Sequence, residues 1–309
     1  MTQNFSSAKL NPGFSVLCLL LLTVILLAGA SSASIICDYC GRQITGQYIQ
    51  FESGTYHVHC YENHLALRCA VCGGVIDGQY FVDSRDNIFH EFHQSEFSKC
   101  EYCGCFICED LTGTGQRFAD GREVCGLCAE TAVNDIEEAE QLMYNAVAGL
   151  RKFGIDIDEE EIPLELVDVQ EMRRINKGSV DNPLGYTTFK KTSFLAGLVD
   201  TKDYKIYMLH GMPRATYVFS VTHELMHVWL FKNAPLDMAP LLCEGSCDYA
   251  ATLVILASGK PEAAQLQREA MENPDPIYGE GLRQVDAYVT RVGIRTWLEY
   301  LTEHTTPPW

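Results

Sequence analysis

Residues 223–227 read His-Glu-Leu-Met-His; Glu244 follows seventeen positions after His227, and Asp248 stands four further on. On a helix, positions i and i+4 share a face, so His223 and His227 can present two imidazoles to one metal ion. Glu244 would supply a third protein ligand and leave the fourth position open for water. Glu224 would then stand beside that water as general base. Asp248, one turn beyond Glu244, can accept the free ring N–H of a ligating histidine and so fix its tautomer. The chemistry this spacing points to is zinc-dependent hydrolysis of a peptide bond.

These residues need helices to carry them. Residues 216–232 (TYVFSVTHELMHVWLFK) predict a buried helix, and 241–256 (LLCEGSCDYAATLVIL) a second one whose only acids are Glu244 and Asp248. Two histidines and a glutamate inside an apolar helix are costly without a metal or other polar partners. A lone acid at the start of an apolar helix could be a plain N-cap, but its pairing with HExxH favours a ligand. Cys243 and Cys247, which flank Glu244, read as small buried residues of an apolar helix. Upstream, 134–153 predicts a helix capped by Asn134 or Asp135 and stopped by Gly154, with Leu142, Val147, Ala148 and Leu150 facing inward. Residues 162–169 and 205–209 predict strands. Tyr204 to Leu209 is the candidate edge strand for binding a substrate backbone by β-augmentation, and it reads equally well as a plain structural strand. Tyr278 and Arg283, in the phrase YGEGLR, are candidate oxyanion donors.

The first half of the chain is an internal repeat. Cys37-x2-Cys40-Gly-x2-Ile44 recurs from Cys69 to Ile76 and again from Cys100 to Ile107. Each repeat closes with a second ligand pair: His57 and Cys60, His90 and His93, Cys125 and Cys128. A CxxC turn offers two thiolates, and a second pair at the base of a short hairpin completes a tetrahedron. Closed four-ligand sites leave no room for a substrate water, so three structural zinc ions are expected beside one catalytic ion. A disulfide framework is the alternative, and the histidines among the twelve positions argue against it. Cys105 and Cys108 offer a competing pair for the third site; Cys100 and Cys103 keep the register of the other repeats. The repeat does not call on His59 or His64.

CxxC…HxxC followed by CxxC…HxxH resembles a LIM domain. That module followed by HELMHVWL and Glu244-Gly-Ser-Cys247 is similar to the plant organ-size-regulating LIM peptidases, the DA-one family. The likeness continues through 121–133 (GREVCGLCAETAV) and 278–283 (YGEGLR). It implies a zinc peptidase with His223, His227 and Glu244 as ligands and Glu224 as catalytic acid and base. The ubiquitin-interacting motifs of the plant proteins have no counterpart here, and a hydrophobic segment stands ahead of the repeats. Neither ubiquitin-linked regulation nor the family's substrates are therefore carried over.

That segment has Lys9, an uncharged run over 14–27 and a small-residue tail ending at Ala33, the pattern of a secretory signal. Extended to Ala30, it approaches the length of a membrane anchor. Either way the expectation is an extracytoplasmic protein, secreted or anchored, with a membrane involved only if the segment is retained. The formal net charge of −18 repels phosphate and argues against nucleic-acid partners. The acidic run 156–161 reads as a solvated loop. The expected fold class is α+β: a signal or anchor over 1–33, a LIM-like zinc-knuckle module over 34–130 and a zincin-like, gluzincin-type domain over 131–309. The expected partners are a protein or peptide substrate and a protein bound through the LIM-like module. The competing reading is an adaptor whose zincin half is a scaffold, and a scaffold has no need of Glu224.

Overall fold

In the computed structural model, which describes residues 34–157, 162–177, 183–194 and 199–309, each CxxCG phrase folds into the same turn. The N–H groups of Cys37, Cys69 and Cys100 donate to the carbonyls of Arg42, Gly74 and Cys105. Those of Gly41, Gly73 and Gly104 return to the carbonyl of the first cysteine, and all six bonds measure 2.8–2.9 Å. The three glycines have φ of +69°, +69° and +68°, a left-handed backbone that favours glycine over residues bearing a Cβ. The N-terminal hydrophobic segment and residues 158–161 of the acidic run lie outside the described residues.

Two-stranded hairpins accompany the turns: β1 (Tyr48–Phe51) with β2 (Gly54–His57), β3 (Tyr80–Val82) with β4 (Ile88–His90), and β5 (Gln116–Arg117) with β6 (Glu123–Val124). His57 and His90 end β2 and β4 and Cys125 follows β6, while their partners Cys60, His93 and Cys128 lie on α1 (Val58–His64), on a 3-10 turn (Glu91–Ser95) and on α3 (Gly126–Ala129), with the short α2 (Glu109–Thr112) ahead of the third hairpin. Little apolar surface is available for a core. Cys37, Ile44 and Cys60 pack with Tyr48 and Tyr56, and Cys69, Ile76, Phe89 and Phe106 with Phe81 and Phe97. In the third repeat the thiols of Cys100, Cys103, Cys125 and Cys128 lie within 4.8 Å of one another. Cys105 instead closes the turn with its carbonyl, and its thiol is buried against the carbonyl of Cys103. Cys108 caps α2.

The chain divides into two compact units. Among the described residues the first comprises 34–116 with 123–126, and the second 117–122 with those from 127 to 309. The second unit mixes helices and strands. Its main sheet has the order β8 (Leu164–Val167), β10 (Val199–Leu209), β9 (Gly185–Phe194), with β10 parallel to β8 and antiparallel to β9. A small pair joins β7 (Ala132–Val133) to β11 (Met212–Pro213). The helices are α4 (Ile136–Arg151), α5 (Val169–Asn176), α6 (Arg214–Asn233), α7 (Pro240–Ala257), α8 (Pro261–Met271), α9 (Tyr278–Val292) and α10 (Ile294–Glu303).

The helices expected over 216–232 and 241–256 are α6 and α7. Both are buried on nearly every face, as apolar helices without a polar side must be. They pack on each other, and α7 also packs on α8 and α9. At the α7–α9 crossing the backbones touch: a Cβ on Gly245 would stand 2.4 Å from the Gly281 carbonyl carbon, and one on Gly281 2.6 Å from the Leu241 oxygen. Those glycines of the EGSC and YGEGLR phrases serve packing.

Two expectations are corrected. Asp135 caps α4 by accepting from the Glu138 N–H at 3.0 Å, but the inward stripe is Ala139, Met143, Ala146, Val147 and Leu150. Leu142 is only half-buried and Ala148 is exposed, because the stripe runs one residue away from them. The expected edge strand 204–209 lies in β10, the middle strand, whose backbone is paired on both sides over Ile206–Met208. Among the described residues the outer strand beside α6 is β9.

Cys100→Ser is expected to lower zinc content by one ion and to lower the melting temperature well below that of Cys105→Ser. Parallel metal analysis and thermal melts of the two variants check this. The reverse order would move the third site to Cys105 and Cys108.

Candidate active site and metal clusters

α6 carries His223, Glu224 and His227, and α7 brings Glu244 and Asp248 opposite them. The Nε2 atoms of His223 and His227 are 3.1 Å apart, and Glu244 Oε2 lies 3.2 Å from the first and 3.3 Å from the second. Ligands at about 2.0–2.1 Å in tetrahedral directions around zinc stand about 3.3–3.4 Å from each other. The three atoms therefore form a triangle of the size one zinc ion would span. Glu244 sits in the fifth position of α7, whose cap is Ala239, so it is no N-cap.

Two carboxylates face the two imidazoles in this corner. Burial by itself would lower both imidazoles, but the Asp248 carboxylate outweighs it and raises His223 to about 9. Glu244 likewise raises His227 well above its ordinary value, and burial of Glu244 is outweighed by the two imidazoles, which hold it far down. Asp248 Oδ1 accepts from His223 Nδ1 at 2.7 Å, which leaves Nε2 free for a ligand role.

Glu224 stands beside the triangle and outside it. Its Oε2 accepts from the buried Thr187 hydroxyl at 2.6 Å. Thr187 belongs to β9, and so does Gly185, where a Cβ would meet Glu224 Cγ at 2.8 Å and Oε1 at 2.9 Å. The edge strand thus lies directly against the carboxylate. A small pocket opens here between Leu184, Gly185, Phe219 and Ser220 and the side chains of His223, Glu224 and Asp248.

Two of these contacts escape a reading of sequence. Thr187 comes from a strand thirty-seven residues away and carries no motif. Cys243 and Cys247, read as plain core residues, both face His227 Nδ1, at 3.7 and 3.4 Å. Their spacing on one helix face, bracketing Glu244, was the available signal. Hydrogen bonding from Cys247 pulls Cys243 down to about 5, and burial pushes Cys247 well up. Of the two oxyanion candidates, Tyr278 lies near His223, the rings tilted and their centroids 6.4 Å apart. Burial and the nearby acids push its hydroxyl far above the usual range. Arg283 is engaged elsewhere, by the Glu280 carboxylate and the carbonyls of Met271 and Asn273.

The twelve repeat residues gather into three clusters, each with its ligand atoms within 4.8 Å of one another: Cys37, Cys40, His57 and Cys60; Cys69, Cys72, His90 and His93; Cys100, Cys103, Cys125 and Cys128. His57 and His90 use Nε2 for the carbonyls of Gln43 and Val75 and turn Nδ1 to the thiols, at 3.5 Å from Cys40 and Cys72. His93 reverses this. Its Nδ1 pairs with Glu96 at 2.6 Å, and its buried Nε2 has no hydrogen-bond partner, an orphaned atom that a metal would satisfy. Burial would raise Cys37 and Cys69, but the N–H groups of their turns outweigh it and hold both near 6, toward the thiolate a metal needs. The thirteen described cysteines are all free thiols, and the disulfide alternative has no support among them.

No family model matches the chain, and no solved structure does. Several curated plant proteins match it over most of its length. Protein DA1-related 7 of Arabidopsis thaliana is 24% identical over 88% of this chain and 59% of its own. Protein DA1 of the same plant is 23% identical over 86% and 61%, and LIM domain-containing protein HDR3 of Oryza sativa subsp. japonica 23% over 68% and 49%. The chain thus spans about half to three fifths of the length of the relatives it matches. Its homologues are DA1 and DA1-related proteins and a LIM domain-containing protein, and they align it with a DA1-like LIM-domain family.

Proposed function

We propose that the chain is a zinc-dependent metalloendopeptidase of gluzincin type, with a zincin-like catalytic domain and an N-terminal LIM-like module that binds a protein partner. The observation that carries this reading is the triangle of His223, His227 and Glu244, with an unligated Glu224 held at its side. A zinc ion held there would polarise both a water and the scissile carbonyl. Glu224 would take the proton from that water and hand it to the leaving amine. Thr187 holds one carboxylate oxygen in place, leaving the other for that proton. Tyr278 is the donor best placed to meet the developing oxyanion, since Arg283 is committed to Glu280.

The substrate is proposed to be an extended segment of a protein. It would lie along β9, the outer strand whose residues Gly185 and Thr187 adjoin Glu224. Three structural ions in the repeat clusters would supply much of the folding energy for hairpins with little apolar core. The hydrophobic segment ahead of the repeats supports an extracytoplasmic location. The adaptor reading leaves Glu224, its Thr187 partner and the glycine that makes room for it without a task.

Glu224→Gln is expected to abolish cleavage of a peptide that the parent cuts, by about a hundred- to ten-thousand-fold, while bound zinc and melting temperature stay unchanged. A peptide library read by mass spectrometry, with metal analysis in parallel, checks both. Cleavage at the parent rate would remove Glu224 from the mechanism.

Thr187→Val is expected to lower kcat roughly tenfold at unchanged KM, an effect of about 1.4 kcal/mol, with Thr187→Ser restoring most of it. Equal losses in both variants would mean that Thr187 only packs.

A further inference from the structure

His227 uses both of its ring nitrogens. Nε2 faces His223 and Glu244 at 3.1 and 3.3 Å, and Nδ1 faces the thiols of Cys247 and Cys243 at 3.4 and 3.7 Å. A neutral imidazole that binds a metal through Nε2 carries its proton on Nδ1, and that proton needs an acceptor. For His223 the acceptor is Asp248, at 2.7 Å. For His227 two sulphurs take that place. Both are within reach of the N–H, Cys247 is fully buried, and the pair stands one turn apart on α7. Glu244 lies between them in sequence, so a single helix delivers one metal ligand and the acceptors for another. The sulphurs face the nitrogen that the ligand triangle does not use, and each also groups within 4.8 Å with two of its residues, Cys247 with His223 and His227 and Cys243 with His227 and Glu244, so the serine variants below are what separate an acceptor from a ligand.

Resting on the metal centre proposed above, we propose that Cys243 and Cys247 are positioning residues that accept the Nδ1–H of His227, so that retention of the catalytic ion depends on two sulphur acceptors.

The test uses the full zinc-loaded chain and a colorimetric chelator that reports how readily each ion is released. The Cys243→Ala, Cys247→Ala double variant is expected to surrender one ion about ten- to a hundredfold more readily than the parent, as loss of such supporting partners typically does. The remaining ions should be held as in the parent. The corresponding double serine variant should recover most of the retention, because a hydroxyl can accept the same N–H. After that ion has been removed, the alanine and serine proteins should melt at the same temperature, since a positioning role matters only while His227 is a ligand. Should the double alanine variant fail to fold, Cys243→Ala alone, at the half-buried position, should still release the ion several-fold more readily. Parent-like retention in the alanine proteins, or serine proteins as leaky as alanine ones, would overturn the positioning role and leave the metal centre standing. A parent that holds no ion beyond those of the three repeat clusters would overturn the metal centre and this inference with it.

Discussion

Two imidazoles and a carboxylate, His223 buried and His227 and Glu244 half-buried where α6 and α7 pack together, set the terms for the rest of the second unit. Their facing atoms stand 3.1–3.3 Å apart, a separation that a shared cation satisfies and that apolar surroundings alone make costly. The two helices must therefore cross at one depth and in one register, and much of the packing answers that demand. α7 and α9 meet backbone to backbone at Gly245 and Gly281, next to Glu244. Asp248 is placed one turn beyond Glu244 to hold His223, and the two cysteines bracket Glu244 to meet His227. β9 closes in on Glu224 at a glycine, because any side chain at Gly185 would displace the carboxylate.

The first unit is organised by a different constraint. Its hairpins have two to four residues per strand, and its cores are small groups of cysteine, isoleucine and aromatic side chains. Segments of this size bury too little apolar surface to fold on that surface alone. The turn repeated three times, with its left-handed glycine and paired backbone bonds, fixes the place of the first cysteine of each pair. In the first two repeats other backbone N–H groups, among them those of the second cysteine and of the hairpin histidine, reach the first sulphur and favour its thiolate, so local fold and readiness for a metal arise together.

Much of this was legible in the sequence because it is local. An i, i+4 pair of histidines, a CxxCG turn and an apolar stretch of helical length each state their geometry within a few residues. Contacts that depend on strand order were not legible. Residues 204–209 read equally well as an edge or a central strand, and only the pairing of β10 with both β8 and β9 decides between them. Thr187 reaches Glu224 across the sheet–helix interface without a motif to announce it. Cys243 and Cys247 were visible as residues, yet their partner His227 lies on another helix. Leu142 and Ala148 show a smaller failure, in which a helix was found but its inward face was misjudged by one position.

The most direct test of the central claim is anomalous scattering at the zinc absorption edge from crystals of the purified protein. The account expects one peak at each of the three cysteine-rich clusters and a fourth enclosed by His223 Nε2, His227 Nε2 and Glu244 Oε2, about 2.0–2.2 Å from each. Zinc-loaded crystals with peaks at the repeat clusters and none within that triangle would contradict it.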